Sequence, residues 1–354
     1  MVSVLIVTWN SAAYLPPCLA SIDLQDCRDL EVIVVDNAST DGTRELLRPR
    51  EAAWRVMYNT RNVGFAAGQN RAIRAAKGDW LLCLNPDVLL AEDFITWLLK
   101  AASAHPEAGT VCGKLLRWKP ESDSPRTRTI DSTGIYFTRN LRHLDRGAEE
   151  LDRGEYDRPQ WVFGATGAAA MFRRSFVEAA LVDGEFFDEA FFSFREDADL
   201  AWRGQLMGWK CLYTPAAVGW HVRRVTPERR EQLPLAINWH SVKNRFLMRG
   251  KNASGWLCWR LFWPVTARDL VVLGYALVRD WRLLSAVAYP LWNFDSIRRK
   301  RRIIQSRRRV PDRDLLWWFS DTPQAVNVED ATSQEPSAVS APADRGEFRS
   351  EAQA

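Results

Sequence analysis

Cysteine is scarce in this sequence, and its apolar runs are too short to cross a membrane. The 6 cysteines form no C-x-x-C pair, which favours free thiols in a reducing compartment. The apolar opening, VSVLIVTW, lacks a basic flank and ends before Asn10, so it is too short for a signal peptide or a membrane span. We therefore expect a protein that faces the cytosol.

Net charge is also small. The 48 Lys and Arg residues against 44 Asp and Glu leave a formal charge of +4, so no overall field favours nucleic acid. Any anionic partner must therefore bind at a local cluster of basic residues. The 354 residues, 47% hydrophobic and 26% charged, have an ordinary globular composition and allow one large domain with a satellite.

Apolar runs and helical spacings alternate along the first hundred residues. The predicted strands cover 2–8, 31–36, 54–58 and 80–84, and helices are predicted at 14–22, after 41–43 and at 66–76. This alternation predicts an α/β fold, with a Rossmann-like, mostly parallel sheet and helices on both faces. In such sheets, ligands bind beyond the carboxyl ends of the strands.

Polar residues stand where these strands end. They are Thr8 and Asn10, then Asp36 and Asn37, then Asn85 and Asp87. The carboxylate of Asp36 can accept hydrogen bonds from a pyrimidine imide or a ribose hydroxyl, although Asp, Asn and Ser are also common helix N-caps. Glycines flank the helix start at 62–70, so Gly64 permits close backbone approach to a nucleotide, with Asn70 pointing towards it.

Five sequence motifs follow one another along the chain in this order: VSVLIVTWN, VVDNASTDGT, NVGFAAGQN, LNPD and FREDADLAWR. In this order they resemble the family 2 glycosyltransferases of the GT-A fold, and they are most similar to the bacterial rhamnosyltransferase-like branch. The similarity covers about residues 2–225. It implies a catalytic domain over 1–235, with a donor half at about 1–110 and an acceptor half at about 111–235, that uses a nucleotide sugar and inverts the anomeric centre.

The resemblance also implies a divalent metal ion, Mg²⁺ or Mn²⁺. Family members carry Asp-X-Asp after the fourth strand, but the first of these residues is Asn85 here, so the metal role passes to Asp87 alone. Asn85 keeps an oxygen for contact with the donor. The alternative for Asp87 is a Pro-Asp turn that ends a strand.

A histidine is the second expected metal ligand. The branch often supplies one after a further strand, and His221 follows such a strand pattern at 213–221. A lone histidine is more often structural. Arg223, Arg224 and Thr226 follow it and are candidates for contact with the diphosphate, with a solvated surface as the alternative.

Inverting transfer needs a carboxylate that deprotonates the acceptor hydroxyl. The cluster at 196–199 resembles the family's Glu-Asp motif, which implies Asp197 as the base and Glu196 as a residue that supports it or holds the acceptor. Arg203, at i,i+4 spacing from Asp199, is included among the donor contacts. Taken alone, these acids could simply complement a helix dipole.

Residues 236–320 are rich in Trp and Arg and are predicted to be helical. Two apolar stretches there, 270–278 and 283–294, are shorter than a membrane span, and with the basic run at 298–309 they suit helices on an anionic membrane surface. The alternatives are a small helical domain or dimer interface, and a basic run that is solvated or binds nucleic acid. Residues 321–354 have few large apolar groups and are predicted to be a disordered tail.

The leading hypothesis is transfer of a sugar to a hydroxyl of a cell-surface glycan or lipid-linked saccharide, at the cytoplasmic face of a membrane. The resemblance supplies dTDP-rhamnose as the expected donor. One alternative is a nucleotidyltransferase, which would usually show a glycine-rich phosphate loop that is absent at 8–20. The other is a non-catalytic nucleotide-sugar-binding scaffold, against which Asp87, Asp197 and His221 together argue.

Overall fold

A computed structural model describes residues 1–122, 125–223 and 235–331 of the chain. The predicted contacts of Arg224 and Thr226 lie outside these residues. In chain order the strands are β1 Val2–Thr8, β2 Leu30–Asp36, β3 Arg55–Tyr58, β4 Trp80–Leu84, β5 Val88–Leu90, β6 Ala108–Trp118, β7 Arg126–Ser132, β8 Ile135–Phe137, β9 His143–Asp145, β10 Gln160–Val162, β11 Ala169–Arg173, β12 Lys210–His221 and β13 Val326–Asn327.

Helices follow most of the early strands and dominate the C-terminal third. They are α1 Leu15–Asp23, α2 Thr43–Leu47, α3 Phe65–Ala75, α4 Phe94–Ala104, α5 Arg174–Ala179, α6 Glu196–Leu206, α7 Leu235–Asn252, α8 Gly255–Arg260, α9 Phe262–Val278, α10 Leu284–Trp292, α11 Phe294–Ser306, α12 Asp312–Leu316 and α13 Val328–Ala331. Short 3₁₀ turns occur at Arg48–Arg50, Glu189–Phe191 and Trp281–Leu283.

The first strand shows why the sheet lies between two helical layers. All of β1 is buried, as expected for a central strand of a parallel sheet. Because side chains alternate along a strand, Val4 and Ile6 join the apolar core that includes α1 and α4. Leu5 and Val7 join the core on the opposite face, which includes α3 and α6.

The strands of the main sheet run in the order β13-β10-β12-β6-β11-β4-β1-β2-β3. The β3-β2-β1-β4 half is parallel, and β6 is parallel to β12. Between these two groups, β11 runs antiparallel to both β4 and β6. The prediction of an α/β fold with a mostly parallel core sheet is confirmed, and antiparallel strands extend that sheet into a mixed one.

Buried charges join the C-terminal helices to the N-terminal part of the chain. Lys251 on α7 pairs with Asp188 and, at 3.1 Å, with Asp199 on α6. Lys300 on α11 pairs with Asp188 at 2.7 Å. Helices α7 and α11 of the region 236–320 are therefore packed onto the segment that carries Asp188 and Asp199. The expectation that the whole basic run at 298–309 faces lipid needs correction, because Lys300 is buried.

The last described residues depart from the predicted disorder. Val326–Asn327 pairs antiparallel with β10 and adds a short edge strand to the main sheet. Backbone pairing of this kind needs few large apolar side chains, which is why composition pointed to a tail. The remainder of that predicted tail, 332–354, lies outside the described residues. In the part of the chain that the structure describes, no helix is both long and apolar enough to cross a bilayer.

Candidate active site

A cleft lies beyond the ends of β4 and β12 and beside the start of α6. Its cavity of about 450 Å³ is lined by side chains from segments far apart in the sequence. The predicted site residues among them are Asn85, Asp87, Glu196, Asp197 and His221. The fold thus brings together in one cleft the two predicted metal ligands, the predicted base, its neighbour Glu196 and the predicted donor contact Asn85.

Strand pairing explains why Asp87 and His221 meet. The short strand β5 begins directly after Asp87 and runs antiparallel to the end of β12, where His221 lies opposite Val88. In this register, the distance between Nε2 of His221 and Oδ1 of Asp87 is 3.5 Å. Two residues separated by more than one hundred positions therefore face each other across one ladder.

The other nitrogen of His221 contacts a residue that the sequence argument missed. Nδ1 lies 2.7 Å from Oδ2 of Asp131, a fully buried carboxylate on β7. Asp131 is also paired with Arg117 at 3.1 Å and with Arg223 at 3.0 Å. The available signal was an acid beside Ile130 in a short strand pattern, but nothing in the sequence linked it to His221.

These contacts determine the charges of His221 and Asp131. Burial disfavours the charged form of His221, but the carboxylates of Asp131 and Asp87 outweigh it and raise the pKa of the imidazole to about 10. Burial also opposes the charge on Asp131, yet His221, Arg223 and Arg117 lower the pKa of this carboxyl to about 2. Asp131 is thus an anion that fixes Nδ1 and leaves Nε2 directed at Asp87.

The donor set fits a divalent metal ion. A carboxylate and an imidazole nitrogen face each other, and a carboxylate behind the imidazole is the usual arrangement around a metal-binding histidine. Within residues 1–122, 125–223 and 235–331, no group of three or more His, Cys, Asp and Glu side chains is arranged to hold a metal. An ion at Asp87 and His221 would therefore take further ligands from water or a bound substrate.

The predicted base stands at the first turn of α6, facing the cleft. Asp197 Oδ2 accepts a hydrogen bond from the Gly167 N–H at 3.0 Å, and Oδ1 accepts one from the Ala198 N–H at 2.7 Å. Burial raises the pKa of Asp197, although these two N–H groups lower it. Its carboxylate is thereby held in place and kept more basic than an exposed aspartate.

Glu196 lies beside this base and is more deeply buried. Burial first, and the charge of Asp197 second, raise the pKa of its carboxyl well above the ordinary value. Its Oε2 has no hydrogen-bond partner among the described residues. A carboxyl in this setting can keep its proton and donate a hydrogen bond.

The predicted donor residues Thr8, Asp36 and Asn37 stand together at the edge formed by β1 and β2, and all three are buried. The hydroxyl of Thr8 donates to Asp36 at 3.1 Å, and Arg44 Nε donates to the same carboxylate at 2.7 Å. Asn37 Nδ2 donates to the carbonyl of Gly64 at 3.0 Å. In the structure, these side chains bond to one another and shape the edge.

Asn10 and Gly64 complete this edge. Asn10 is partly exposed, and its Oδ1 accepts a hydrogen bond from the Thr40 N–H at 2.9 Å. Gly64 has φ +87°, and a Cβ there would lie 2.5 Å from the carbonyl oxygen of Phe192. Close backbone approach does require this glycine, but the neighbour it approaches in the structure is the chain itself.

Two predicted donor contacts need correction. Asn70 is buried, and its amide exchanges hydrogen bonds with the backbone of Phe187, accepting at 2.9 Å and donating at 2.7 Å. Arg203 is also buried and does not line the cleft; it pairs with Asp199 at 3.1 Å and donates to the carbonyls of Ala180 and Phe186 at 2.6 Å each. The polar atoms of both side chains serve the fold, and we assign both residues structural roles.

A parallel half-sheet whose carboxyl edge opens onto an acidic cleft, extended by antiparallel strands, is the arrangement of the GT-A fold. Residues 3–181 match the profile described as Glycosyl transferase family 2. The chain belongs to this family, and its reaction is sugar transfer.

Two glycosyltransferases with named roles are similar to this chain in sequence. The chain is 31% identical over 300 residues to the N-acetylglucosaminyl-diphospho-decaprenol L-rhamnosyltransferase of Mycobacterium tuberculosis, a match covering 78% of this chain and 92% of that one. It is 32% identical over 154 residues to a PGL/p-HBAD biosynthesis glycosyltransferase of Mycobacterium bovis, covering 40% and 60% of the two chains. The resemblance to a rhamnosyltransferase-like branch is therefore confirmed.

Solved structures support the fold. TarS 1-349 of S. aureus, in complex with UDP-GlcNAc, superposes with a TM-score of 0.50 at 15% identity, over 86% of this chain and 90% of that chain. GalNAc-T7 with UDP, GalNAc and Mn²⁺ gives a TM-score of 0.52 at 15% identity, over 71% and 48% of the two chains. At these identities the likeness concerns the fold alone.

Proposed function

We propose that this protein is an inverting, metal-dependent rhamnosyltransferase that uses dTDP-rhamnose and a lipid-linked saccharide acceptor. The observation that carries the proposal is the cleft in which the Asp87–His221 pair and Asp197 meet. The rhamnosyl group and the polyprenyl diphosphate acceptor are supported by the name of the mycobacterial relative, which matches most of the chain.

We assign the role of catalytic base to Asp197. Its carboxylate takes the proton from the acceptor hydroxyl while the oxygen of that hydroxyl forms a bond to the anomeric carbon. The bond between that carbon and the diphosphate breaks on the opposite side of the sugar, and the nucleoside diphosphate leaves. Burial raises the pKa of Asp197, which favours proton uptake.

Glu196 assists from the adjacent position. Because burial and Asp197 raise the pKa of its carboxyl, Glu196 keeps a proton and can donate a hydrogen bond to an acceptor oxygen. This assigns opposite proton roles to two neighbouring acids. Glu196 positions the acceptor, and Asp197 removes its proton.

Asp87 and His221 would hold a divalent ion, Mg²⁺ or Mn²⁺. When bound, such an ion neutralises the charge that develops on the leaving diphosphate. Asp131 keeps the imidazole of His221 in the orientation that presents Nε2 to this position. Asn85 lines the same cleft and supplies an uncharged oxygen for the donor.

We place the nucleotide of the donor at the neighbouring edge of the sheet, at Thr8, Asn10, Asp36, Asn37 and Gly64. Asn10 is the member whose side chain is partly exposed and ready for contact. Asp36 has no exposed surface, so its carboxylate meets a ligand only if Arg44 or another partner is displaced. The remaining residues shape the proposed nucleotide site through hydrogen bonds to one another.

The deciding experiment measures transfer and hydrolysis with a panel of nucleotide sugars, with and without Mn²⁺ or Mg²⁺. For Asp197→Asn we expect kcat to fall by about 10²–10⁴-fold with donor binding preserved, because general-base catalysis is lost. The control is Asp295→Asn, which removes an exposed carboxylate from α11. Intact turnover in a folded Asp197→Asn variant would show that the base lies elsewhere, and metal-independent turnover would remove the roles given to Asp87 and His221.

A lipid-linked acceptor places the reaction at a membrane. We therefore propose that the protein works at the cytoplasmic face, attached peripherally to an anionic surface. Nucleotide sugars are soluble and polyprenyl carriers are not, so the enzyme must receive one substrate from each phase.

A further inference from the structure

Helix α9 exposes large apolar side chains to solvent instead of burying them in the core. Its 17 residues form a rod of about 25 Å, and large apolar side chains point outward along one stripe. Trp263 is 79% exposed and Val278 is 83% exposed, with Leu270 between them at 63%. The spacing from 263 to 270 and 277–278 keeps these residues on one face of the helix.

Helix α9 carries two charged residues, Arg268 and Asp269, both partly buried, and Asp269 faces α7. Asp269 accepts a hydrogen bond from Arg245 on α7 at 2.9 Å and pairs with Arg249 at 2.5 Å. Amphipathic helices on water-soluble domains place such groups outward and bury the apolar stripe. On α9 the charge of Asp269 is used to attach the helix to the protein, and the apolar stripe is left exposed.

The neighbouring elements extend this stripe. Trp259 on α8, Trp281 in the following 3₁₀ turn and Trp292 on α10 are each at least two thirds exposed, as is Leu291. Together with the stripe on α9 they form what we term the aromatic face: Trp259, Trp263, Leu270, Val278, Trp281, Leu291 and Trp292. Tryptophan is the residue that prefers the headgroup level of a bilayer.

Positive charge accompanies the aromatic face. Over residues 255–306 the exposed basic side chains are Arg260, Arg279, Arg282, Arg298, Arg299 and Arg302, and the exposed acid is Asp295. Two of these arginines are paired, Arg282 with Asp280 at 2.8 Å and Arg299 with Asp183 at 2.9 Å, so the net excess of positive charge comes from the other four. Arg260 follows Trp259 directly, and Arg279 and Arg282 flank Trp281. Apolar groups bordered by arginine match a surface of anionic phospholipid, in which both kinds of side chain are satisfied.

We infer that the aromatic face is a membrane-docking surface that lies in the headgroup region of an anionic bilayer. This inference rests on the proposed function for its purpose, which is to meet a lipid-linked acceptor. The link to the cleft is α7. Ser241 on α7 lines the cleft, and Trp239, two residues away, donates from Nε1 to Ser285 on α10 at 2.8 Å.

One layer of helix thus separates the docking surface from the active site. The carrier's polyprenyl chain stays in the bilayer while its saccharide reaches over α7 towards Asp197. Docking on this face therefore holds the cleft beside the acceptor and leaves the donor edge of the sheet open to solution. This geometry suits the acceptor class already proposed, an amphiphile presented from a membrane surface.

The test is flotation of the full chain with vesicles of phosphatidylcholine, with and without phosphatidylglycerol. The variant combines Trp263→Ser, Val278→Ser and Trp292→Ser. We expect its binding to anionic vesicles to fall by about tenfold or more, because these side chains supply the apolar contact. The matched control combines Leu24→Ser and Leu151→Ser, which remove exposed apolar side chains from other elements, and it should bind like the wild type.

A second measurement does not depend on the variants. Brominated lipids quench the fluorescence of tryptophans that enter a bilayer, so the wild type should be quenched by brominated anionic vesicles. Wild-type binding to the vesicles with unquenched tryptophans, or undiminished binding by the triple variant, would overturn the docking surface. So would a wild-type dimer that ignores vesicles and becomes monomeric in the triple variant, because a second copy would then cover the face.

Activity separates this inference from the proposed function. We expect the triple variant to keep wild-type turnover with a short-chain, water-soluble acceptor and to lose turnover with the same saccharide embedded in vesicles. Vesicle binding without any sugar transfer would refute the proposed function and leave the docking surface standing. Equal turnover of the vesicle-embedded acceptor by variant and wild type would refute the docking surface alone.

Discussion

Replacing Asp131 by Asn tests whether this buried carboxylate prepares His221 to bind metal. Asp131 contacts Nδ1 of His221 at 2.7 Å, and Asn preserves the size of the side chain while removing its charge. Loss of such a partner behind a metal-binding histidine typically costs about 10–100-fold in metal affinity or activity. We expect Mn²⁺ affinity to weaken within this range.

Asp145→Asn is the matched control. Asp145 pairs with the same Arg223, at 2.5 Å, and lines the same cleft, so the variant removes an equal charge near the same arginine. The measurement is a Mn²⁺ titration followed by electron paramagnetic resonance, which reports free metal independently of turnover. Equal affinities for the wild type and both variants would refute the argument, because His221 would then need no carboxylate behind it or would not be a ligand.

The ion pair between His221 and Asp131 predicts that both stability and Mn²⁺ affinity depend on pH. The pKa of His221 is raised from 6.5 to about 10 in the folded protein, so its ion pairs stabilise the metal-free fold fully below pH 6.5. That contribution is lost as pH rises through 10. Metal binds neutral imidazole and must displace this proton, so Mn²⁺ affinity should increase with pH over this window. The increase should be smaller in Asp131→Asn.

Two stability predictions concern the packing around the site, and urea denaturation measures both. Gly64→Ala should lower the free energy of unfolding by about 1–3 kcal/mol, because its Cβ would meet Phe192 at a backbone angle of φ +87°. Gly184, at φ +79° with open space around it, is the control, and an equal loss in Gly184→Ala would mean that contact with Phe192 contributes nothing. Lys251→Met should cost up to about 3–5 kcal/mol, because it removes one of the two cations that neutralise each of the buried carboxylates Asp188 and Asp199. Arg299→Met breaks an exposed ion pair and should cost less than about 1 kcal/mol, so similar losses in both would contradict the buried-charge argument.

Local patterns predicted most of the fold over the first hundred residues. Strands β1 and β4 begin and end where the apolar runs do, because a parallel strand buried on both faces is apolar throughout. The polar residues that follow these runs stand at one edge, because parallel strands share a direction. Asp87 was located in this way, from residues near it in the chain.

Residues placed by tertiary contacts were harder to predict. Asn70 and Arg203 have the types and spacing of ligand contacts, yet each points into the protein and bonds to a segment that helical periodicity alone does not identify. Asp131 was missed for the converse reason. Its role depends on β7 lying beside β6, and on β6 carrying β12 with His221 at its end.

By itself, the sequence determined the alternating elements, the polar strand ends and the acidic first turn of α6, because these are properties of neighbouring residues. Only the tertiary structure decided that antiparallel pairing of β5 with β12 sets His221 against Asp87. It also decided which way α9 turns its apolar stripe. A helical pattern predicts that one face is apolar, but the partners of Asp269, which are Arg245 and Arg249, determine whether that face looks inward or outward.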